Sequence, residues 1–387
     1  MLPYVLLQAC YAAGTLAVGL GAWFLLGRSA SLARREHLRL VASLGVLALA
    51  ALGAAAVADS LFAAVAVTFY SGALVLPALL VLRELPREKK RAPWIALAAL
   101  APAVAAHAAF VAPNDLQVVE RELDFSAWPA GSPRFTLVQI SDLQTVGPCE
   151  RQELAALRIN ALEPDLIAVC GDYIAGPFAE FGPFEGPGPA IEAARTFLGA
   201  LRSRHGIVVV KGHSEPRDLR RRVFEGLDVR YLEDDEEFTL ELDPGRRLRV
   251  IGLGYDEPRF EPRRTPGTLT LAVGHVPDQS RQLIGREVDL HLAGHTHGGQ
   301  VVIPGFGAPV ILSRLPRRFA RGLFGFGDHW LSVTPGIGME GFHAPRVRFF
   351  SPPQIDVLRL GGGGSAFAWV EPPQGRAPRV HSQGGER

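Results

Sequence analysis

A chain of 387 residues that is 48% hydrophobic, with a mean hydropathy of +0.15, is too long for one ordinary domain and too apolar for a purely soluble protein. Its 40 basic and 39 acidic side chains nearly cancel, so nothing argues for a nucleic-acid partner.

The apolar residues crowd the front of the chain. Residues 2–26, 40–58, 61–82 and 93–111 are almost wholly apolar, and each run is near the roughly 20 residues that cross a hydrocarbon core of about 30 Å. A secretory signal has a shorter apolar core and a cleavage site, and three more such runs do not follow it. Four membrane helices are expected over residues 1–113, with the lipid bilayer as a partner. Arg28, Arg34, Arg35 and Arg39 follow the first run, and Arg83, Arg87, Lys89, Lys90 and Arg91 follow the third; both belong inside. Asp59 and Ser60 make a tight outer hairpin, and the fourth run exits outward. Everything past about residue 113 is therefore expected to be extracytoplasmic. His107 is a lone ionisable residue within the runs, which favours anchoring over transport. Cys10 in the first run and Cys170 at the end of an apolar strand read as buried thiols. A Cys149–Cys170 bond is permitted by an oxidising compartment but does not follow from spacing.

Residues 114–133 read as a polar linker, and a periodic pattern begins at Arg134. Strand-like runs follow: "RFTLVQIS", "DLIAVCG", "GIVVVKG", "EEFTLEL", "RLRVIGL", "TLTLAVG", "VDLHLAG", "HWLSVTP" and "IDVLRL". Helices are expected near residues 150–162, 189–204, 215–225 and 277–284. The alternation predicts an α/β domain over 134–360, with two sheets or one large mixed sheet. Residues 176–189 form a Gly/Pro loop studded with Phe, read as a substrate lip, a membrane-touching rim or a plain surface loop. Residues 361–387 are polar after four glycines and read as a disordered tail.

In α/β sheets, ligands sit in loops at the carboxyl ends of strands. Those loops here carry Asp142 and Gln144, Asp172, His213 and Glu215, His275, and then His295 and His297 in "LAGHTHGGQ". In an extended segment residues i and i+2 share a side, so His295 and His297 offer two imidazoles to one volume. Aspartate oxygen with imidazole nitrogen suits Zn, Fe, Mn or Ni rather than Ca or Mg. Leaving Glu215 aside, seven potential ligands exceed the needs of one zinc and fit two ions sharing a carboxylate. Two such ions orient a phosphoryl group and neutralise the charge of an in-line displacement, which is the chemistry of phosphate ester hydrolysis.

The order D-x-(H), GD, GN(H), H, GH-x-H resembles that of the calcineurin-like metallophosphoesterase superfamily over about residues 134–360. "LAGHTHGGQ", "LSVTPGIG" and "FFSPPQIDVLRL" resemble its membrane-associated branch, which has N-terminal transmembrane helices. The resemblance implies a two-sheet β-sandwich flanked by helices and two divalent metal ions, with Mn, Fe and Zn favoured. It also implies a first metal on Asp142, the residue at 144, Asp172 and His297. The second would take Asp172, the residue at 213, His275 and His295.

Two positions depart from that pattern. Gln144 stands where the family has an imidazole, and a neutral amide oxygen should hold a transition ion less tightly. Aligning on Gly212 and Glu215 puts His213 at the family's metal-binding asparagine and Ser214 at its general-acid histidine; a one-residue shift would make His213 that histidine but loses the flanking matches. Without a general acid, rates fall by about 10² to 10⁴ for a poor leaving group.

His291, between leucines on a strand, reads as a core or supporting residue. Arg217, Arg220, Arg221 and Arg222, and Arg314, Arg317, Arg318 and Arg321, have the charge to hold a phosphate or anionic headgroup; a solvated basic face is the default reading. His329 and His343 have no assigned role. Two functions follow as expectations. One is a membrane-anchored dinuclear phosphoesterase acting on a phosphate ester or pyrophosphate, on a small molecule or a lipid. The other is a binding or sensory protein that keeps the fold but has lost turnover, motivated by Gln144 and Ser214.

Overall fold

The structure, a computed structural model, describes residues 66, 67, 69, 96, 100, 102–175, 188–213, 215, 219–254, 258–326, 329–341 and 344–363. The first three apolar runs lie outside the described residues, apart from residues 66, 67 and 69. The fourth is described from residue 102 onward, with 96 and 100. Among the described residues no helix is long and apolar enough to cross a membrane. The Phe-studded loop, except for 188–189, and the tail beyond 363 are likewise outside them.

The chain divides into two units, one of Met1–Val111 with Glu340–Val347, the other of Ala112–Met339 with Arg348–Arg387. In the first, His107–Val111 forms a π-helical turn.

The second unit holds two six-stranded sheets. The first contains β1 (Gln117–Phe125), β12 (Gln354–Gly362), β2 (Phe135–Ile140), β3 (Leu166–Val169), β4 (Ile207–Val210) and β5 (Arg230–Leu232), in that spatial order. The second runs β10 (Gly322–Phe326), β11 (His329–Val333), β9 (Leu290–Ala293), β8 (Thr268–Val273), β7 (Arg246–Gly252) and β6 (Glu237–Asp243).

The period-two alternation of side chains explains the layers. Along β2, Leu137 enters the core between the sheets while Val138 faces the opposite way; Leu166 and Ile167 on β3, and Val208 and Val209 on β4, divide in the same manner. The inner core joins these residues to Leu248, Val250, Leu269, Leu271, Leu290 and Leu292 of the second sheet. The outer face of the first sheet is covered by α1 (Glu150–Ala161) and α2 (Gly188–Ala200), through Ala155, Ile159, Ile191, Ala194, Phe197 and Leu198, with Val223 of α3 (Leu219–Phe224) beside them. Both faces of β2, β3 and β4 are therefore buried, which is why these strands read as unbroken apolar runs. Each fully buried Leu or Val side chain contributes roughly 1.5 to 3 kcal/mol.

One polar group ties the two sheets. Gln139 of β2 is wholly buried and donates from Nε2 to the carbonyls of Ala293 (2.9 Å) and Ser332 (3.2 Å), while Ser332 Oγ donates back to Gln139 Oε1 at 2.6 Å.

The structure corrects the linker assignment for residues 114–133. Gln117–Phe125 pairs in parallel with β12 along its whole length, Gln117 opposite Gln354 and Phe125 opposite Gly362. An edge strand buries little; here only Leu123 and Phe125 reach the core, so the segment is polar enough to pass for a connector. Two further strands carry weak sequence signals, β5 because it has three residues and β10 because glycines interrupt it. The expected helix near 277–284 is a 3-10 turn, Pro277–Gln279, running into α4 (Ser280–Leu283). Cys149 and Cys170 are free thiols.

Candidate metal centre

The strands that carry the candidate ligands are parallel neighbours. β2, β3 and β4 lie side by side in one sheet and β8 and β9 in the other. Their carboxyl ends deliver Asp142, Asp172, His213, His275 and the His295–His297 loop.

These side chains meet. His297 Nε2 lies 3.4 Å from Asp142 Oδ1, and His275 Nε2 lies 3.4 Å from Asp172 Oδ2. His213 Nδ1 is 3.3 Å from His295 Nδ1, and the His275 and His295 rings are 5.0 Å apart between centroids. One donor atom each from Asp142, Asp172 and His275 fall within 4.8 Å of one another, as do those of His213, His275 and His295. Gln144 joins them by donating from Nε2 to Asp172 Oδ2 at 3.2 Å. All seven candidates are thus gathered in one place. Ser214 lies outside the described residues.

The backbone is bent to achieve this. Asp142, Gln144, Asp172, His295 and His297 all hold positive φ, at 50°, 34°, 56°, 69° and 51°. For residues with a Cβ such conformations cost on the order of 1 to 3 kcal/mol each and persist only where surrounding structure holds them. Here the hold is visible: Asp142 N donates to Gly171 O at 3.0 Å, Gln144 N to Asp172 O at 2.8 Å, and Gly338 N to Asp142 O at 2.7 Å. The expectation that His295 and His297 sit on an extended segment is therefore corrected. They lie on a turn in which Thr296 Oγ1 accepts from Gly298 N, and they part, His295 toward His213 and His297 toward Asp142.

Close approach also dictates residue type. A Cβ on Gly212 would collide with the Asp172 backbone and carboxylate, and one on Gly294 with Ser141 and the Asp142 carboxylate. Glu215 braces the same loops: its buried carboxylate accepts from Gly212 N at 2.7 Å, from Asp172 N at 3.3 Å and from Tyr173 N. In sequence Glu215 marks the acid that closes the Gly212 loop pattern, and nothing there signals its bracing role. His291 is fully buried and bonds Ser280 Oγ at 3.0 Å, which places it in the core rather than among the ligands.

The electrostatics are those of a cation site. Burial pushes the Asp142 carboxyl up to about 7, with the Asp172 charge adding to it. Burial alone would lower His275, but the charges of Asp172 and Asp142 outweigh it and raise its pKa to about 10. His295 is pushed down to about 3, and His297 well below its usual value, in both cases first by burial. The carboxylates therefore favour any positive charge placed beside them, while His295 and His297 stay neutral, the form that ligates metals. His275 Nδ1 lies 2.6 Å from the Cys170 carbonyl, which directs a proton to that nitrogen and turns Nε2 inward, where it is buried with no close hydrogen bond. A carboxylate and imidazole donor set with a buried, inward-facing nitrogen 3.4 Å from Asp172 fits divalent transition ions.

No family model matches the chain. It is 26% identical over 66% of its length to an uncharacterised metallophosphoesterase, YkuE, of Bacillus subtilis, covering 88% of that protein. It is 28% identical to phosphodiesterase YaeI of Escherichia coli, over 51% of this chain and 71% of that one.

The chain is similar to metallophosphoesterases over half to two thirds of its length.

A third similar protein is the UDP-2,3-diacylglucosamine pyrophosphatase LpxG of Chlamydia muridarum, 27% identical over 58% of this chain and 82% of that protein. Among solved structures, a dimetal phosphatase from Danio rerio aligns at a TM-score of 0.35 and 12% identity over 53% of this chain and 88% of that one, too low to argue from. The sequence relatives and the donor set agree on one class, metal-dependent phosphoester hydrolases.

Proposed function

We propose that the chain is a two-metal phosphoester hydrolase anchored in a membrane, with its hydrolase domain on the extracytoplasmic side. The observation that carries the reaction class is the convergence of Asp142, Asp172, His213, His275, His295 and His297 from two sheets into one donor cluster. One ion would rest on Asp142, Gln144, Asp172 and His297, the other on Asp172, His213, His275 and His295. When bound, divalent ions neutralise phosphoryl charge and acidify water. The protein's part is to hold these donors rigid, through left-handed backbone and the Glu215 brace, so that little reorganisation accompanies reaction.

The substrate would be a phosphate ester or a pyrophosphate, small or lipid-linked. A cleft of about 750 Å³ opens beside His213, and its walls include Val276, Asp278, Arg281, Leu312, Ser313 and Arg314. Asp278 fixes one wall, accepting from Ser313 Oγ at 2.6 Å and Arg314 N at 2.7 Å. Its mix of apolar side chains and two guanidinium groups suits a leaving group with a further anion. The relative named as a pyrophosphatase of a diacylated sugar nucleotide supports a lipid-linked substrate. The anchor rests on the four apolar runs and on the basic connections between them.

Gln144 favours a second reading, a metal-binding protein with weakened catalysis, because an amide replaces an imidazole beside Asp172. The two readings separate on one experiment. The full chain is purified, loaded with Mn or Zn, and given aryl phosphate mono- and diesters and a pyrophosphate. Metal-dependent turnover that vanishes in Asp172→Asn supports the hydrolase; bound metal without turnover on any of these supports the binder. Protease accessibility of the domain in sealed cells tests its orientation, and full protection would defeat the extracytoplasmic placement.

A further inference from the structure

Arg348 is wholly buried, and its guanidinium donates to carbonyl oxygens drawn from three stretches of chain. Nε donates to Gly338 O at 3.1 Å. One terminal nitrogen donates to His297 O and Ser351 O, both at 3.1 Å. The other donates to Pro335 O at 2.9 Å, to Gly336 O at 3.3 Å and again to Gly338 O. Burying a guanidinium is unfavourable unless its donors are satisfied, and here satisfying them draws these carbonyls around one point.

Two of those stretches touch the metal centre. His297 is itself a candidate ligand. The Pro335–Gly338 stretch grips the other side: Ile337 N donates to Ser141 O at 3.0 Å and Gly338 N to Asp142 O at 2.7 Å, and a Cβ on Gly336 would strike Asp142. The left-handed conformations of Asp142 and His297 thus both lean on contacts that Arg348 organises. Ser351 reinforces the same carbonyl, donating from Oγ to His297 O at 3.1 Å.

We propose that Arg348 is a positioning residue for the Asp142–His297 half of the metal centre, setting the separation of the two ligands from behind through its forked bonds to His297 O and the Pro335–Gly338 stretch. This rests on the two-metal reading above. A lysine keeps the charge but not the planar fork, since its donors radiate from one point, so Arg348→Lys should loosen both ligands together.

The test is metal binding rather than turnover. The full chain is stripped with a chelator and titrated with Mn²⁺ by calorimetry, alongside Arg348→Lys, Ser351→Ala and Leu248→Ala, the last a truncation in the core between the sheets that controls for lost stability. Arg348→Lys should weaken one ion by about 10- to 100-fold, the range seen when groups supporting metal ligands are removed, and leave the other within a few-fold. Ser351→Ala should weaken the same ion by a smaller factor. Equal loss at both sites, or a loss no greater than that of Leu248→Ala, overturns the inference. Should Arg348→Lys fail to fold, Ser351→Ala decides, and unchanged binding there overturns it too. A wild-type chain that holds no ion defeats the two-metal reading and this inference together; a wild-type chain that loads while Arg348→Lys loads equally defeats this inference alone.

Discussion

His297 Nε2 stands 3.4 Å from Asp142 Oδ1 although 155 residues separate the two in sequence, and both residues hold left-handed backbone, at φ 51° and 50°. Neither conformation is favoured locally, so the tertiary contacts that impose them also fix the donor geometry. Removing either donor should open the first half of the centre. Asp142→Asn and His297→Ala are each expected to release one equivalent of metal and to lower kcat/KM by at least about 10²-fold, on the scale of losing a ligand's transition-state stabilisation. Metal content by mass spectrometry, read beside turnover, checks this; a variant that keeps two equivalents refutes the assignment of its residue.

Gln144 lies within hydrogen-bond distance of Asp172 with a φ of 34°. Gln144→His places an imidazole where an amide now sits. Binding of the weaker ion should tighten by about 10-fold, since imidazole is the better donor for a transition ion. Competition against a chelator of known affinity measures the change. A weaker or unchanged ion would remove residue 144 from the ligand set.

Gly212 packs against Asp172 so tightly that a methyl group has nowhere to go. Gly212→Ala should push the Asp172 turn away from Glu215 and lower stability by about 1 to 3 kcal/mol, as overpacking does. Thermal unfolding would show the loss, and an unchanged Tm would mean that the two loops are looser than they look.

Stability should also depend on protonation of His291. This imidazole is buried beside His329 and its pKa is held well below the usual value, first by desolvation. The unfolded chain takes up a proton at this residue below about pH 6.5, while the folded chain does not. The fold is therefore destabilised as pH falls through that point, by up to about 1.4 kcal/mol per pH unit for a single group. Asp142 and Glu215 act in the opposite sense, because burial raises each to about 7 and the folded chain gains protons as pH drops through that value. The contribution of His291 is isolated by difference: denaturant unfolding of wild type and His291→Gln at pH 7.5 and 5.5 should give a smaller acid loss in the variant. An equal loss would show that His291 titrates alike in both states.

Arg314 and Arg281 border the cleft beside His213. Arg314→Ala should raise KM about 10-fold for a pyrophosphate or other substrate with a second anion, while a simple aryl phosphate is spared. An unchanged KM for both would make this arginine a solvated surface charge.

Much of the centre was legible in the chain because strands end in loops. A run of Val, Ile and Leu closing on Gly-Asp, Gly-His or a bare Asp marks the exit of a strand, and five such exits carried Asp142, Asp172, His213, His275 and the His295–His297 pair. The inner strands were equally plain, since burial on both faces leaves only apolar residues in them. β1 was not, because an edge strand with one wet face carries the composition of a linker.

Sequence alone thus determined which candidate donors exist, which strand ends bear them and, through Gln144, where the set departs from the family pattern it resembles. Only the folded chain decided how they are aimed. The turn that sends His295 and His297 apart, the carboxylate of Glu215 beneath Asp172, and the Arg348 fork behind Asp142 and His297 are held by backbone carbonyls and amides. Every residue has those groups, so no pattern of side chains announces which of them a distant charge will find.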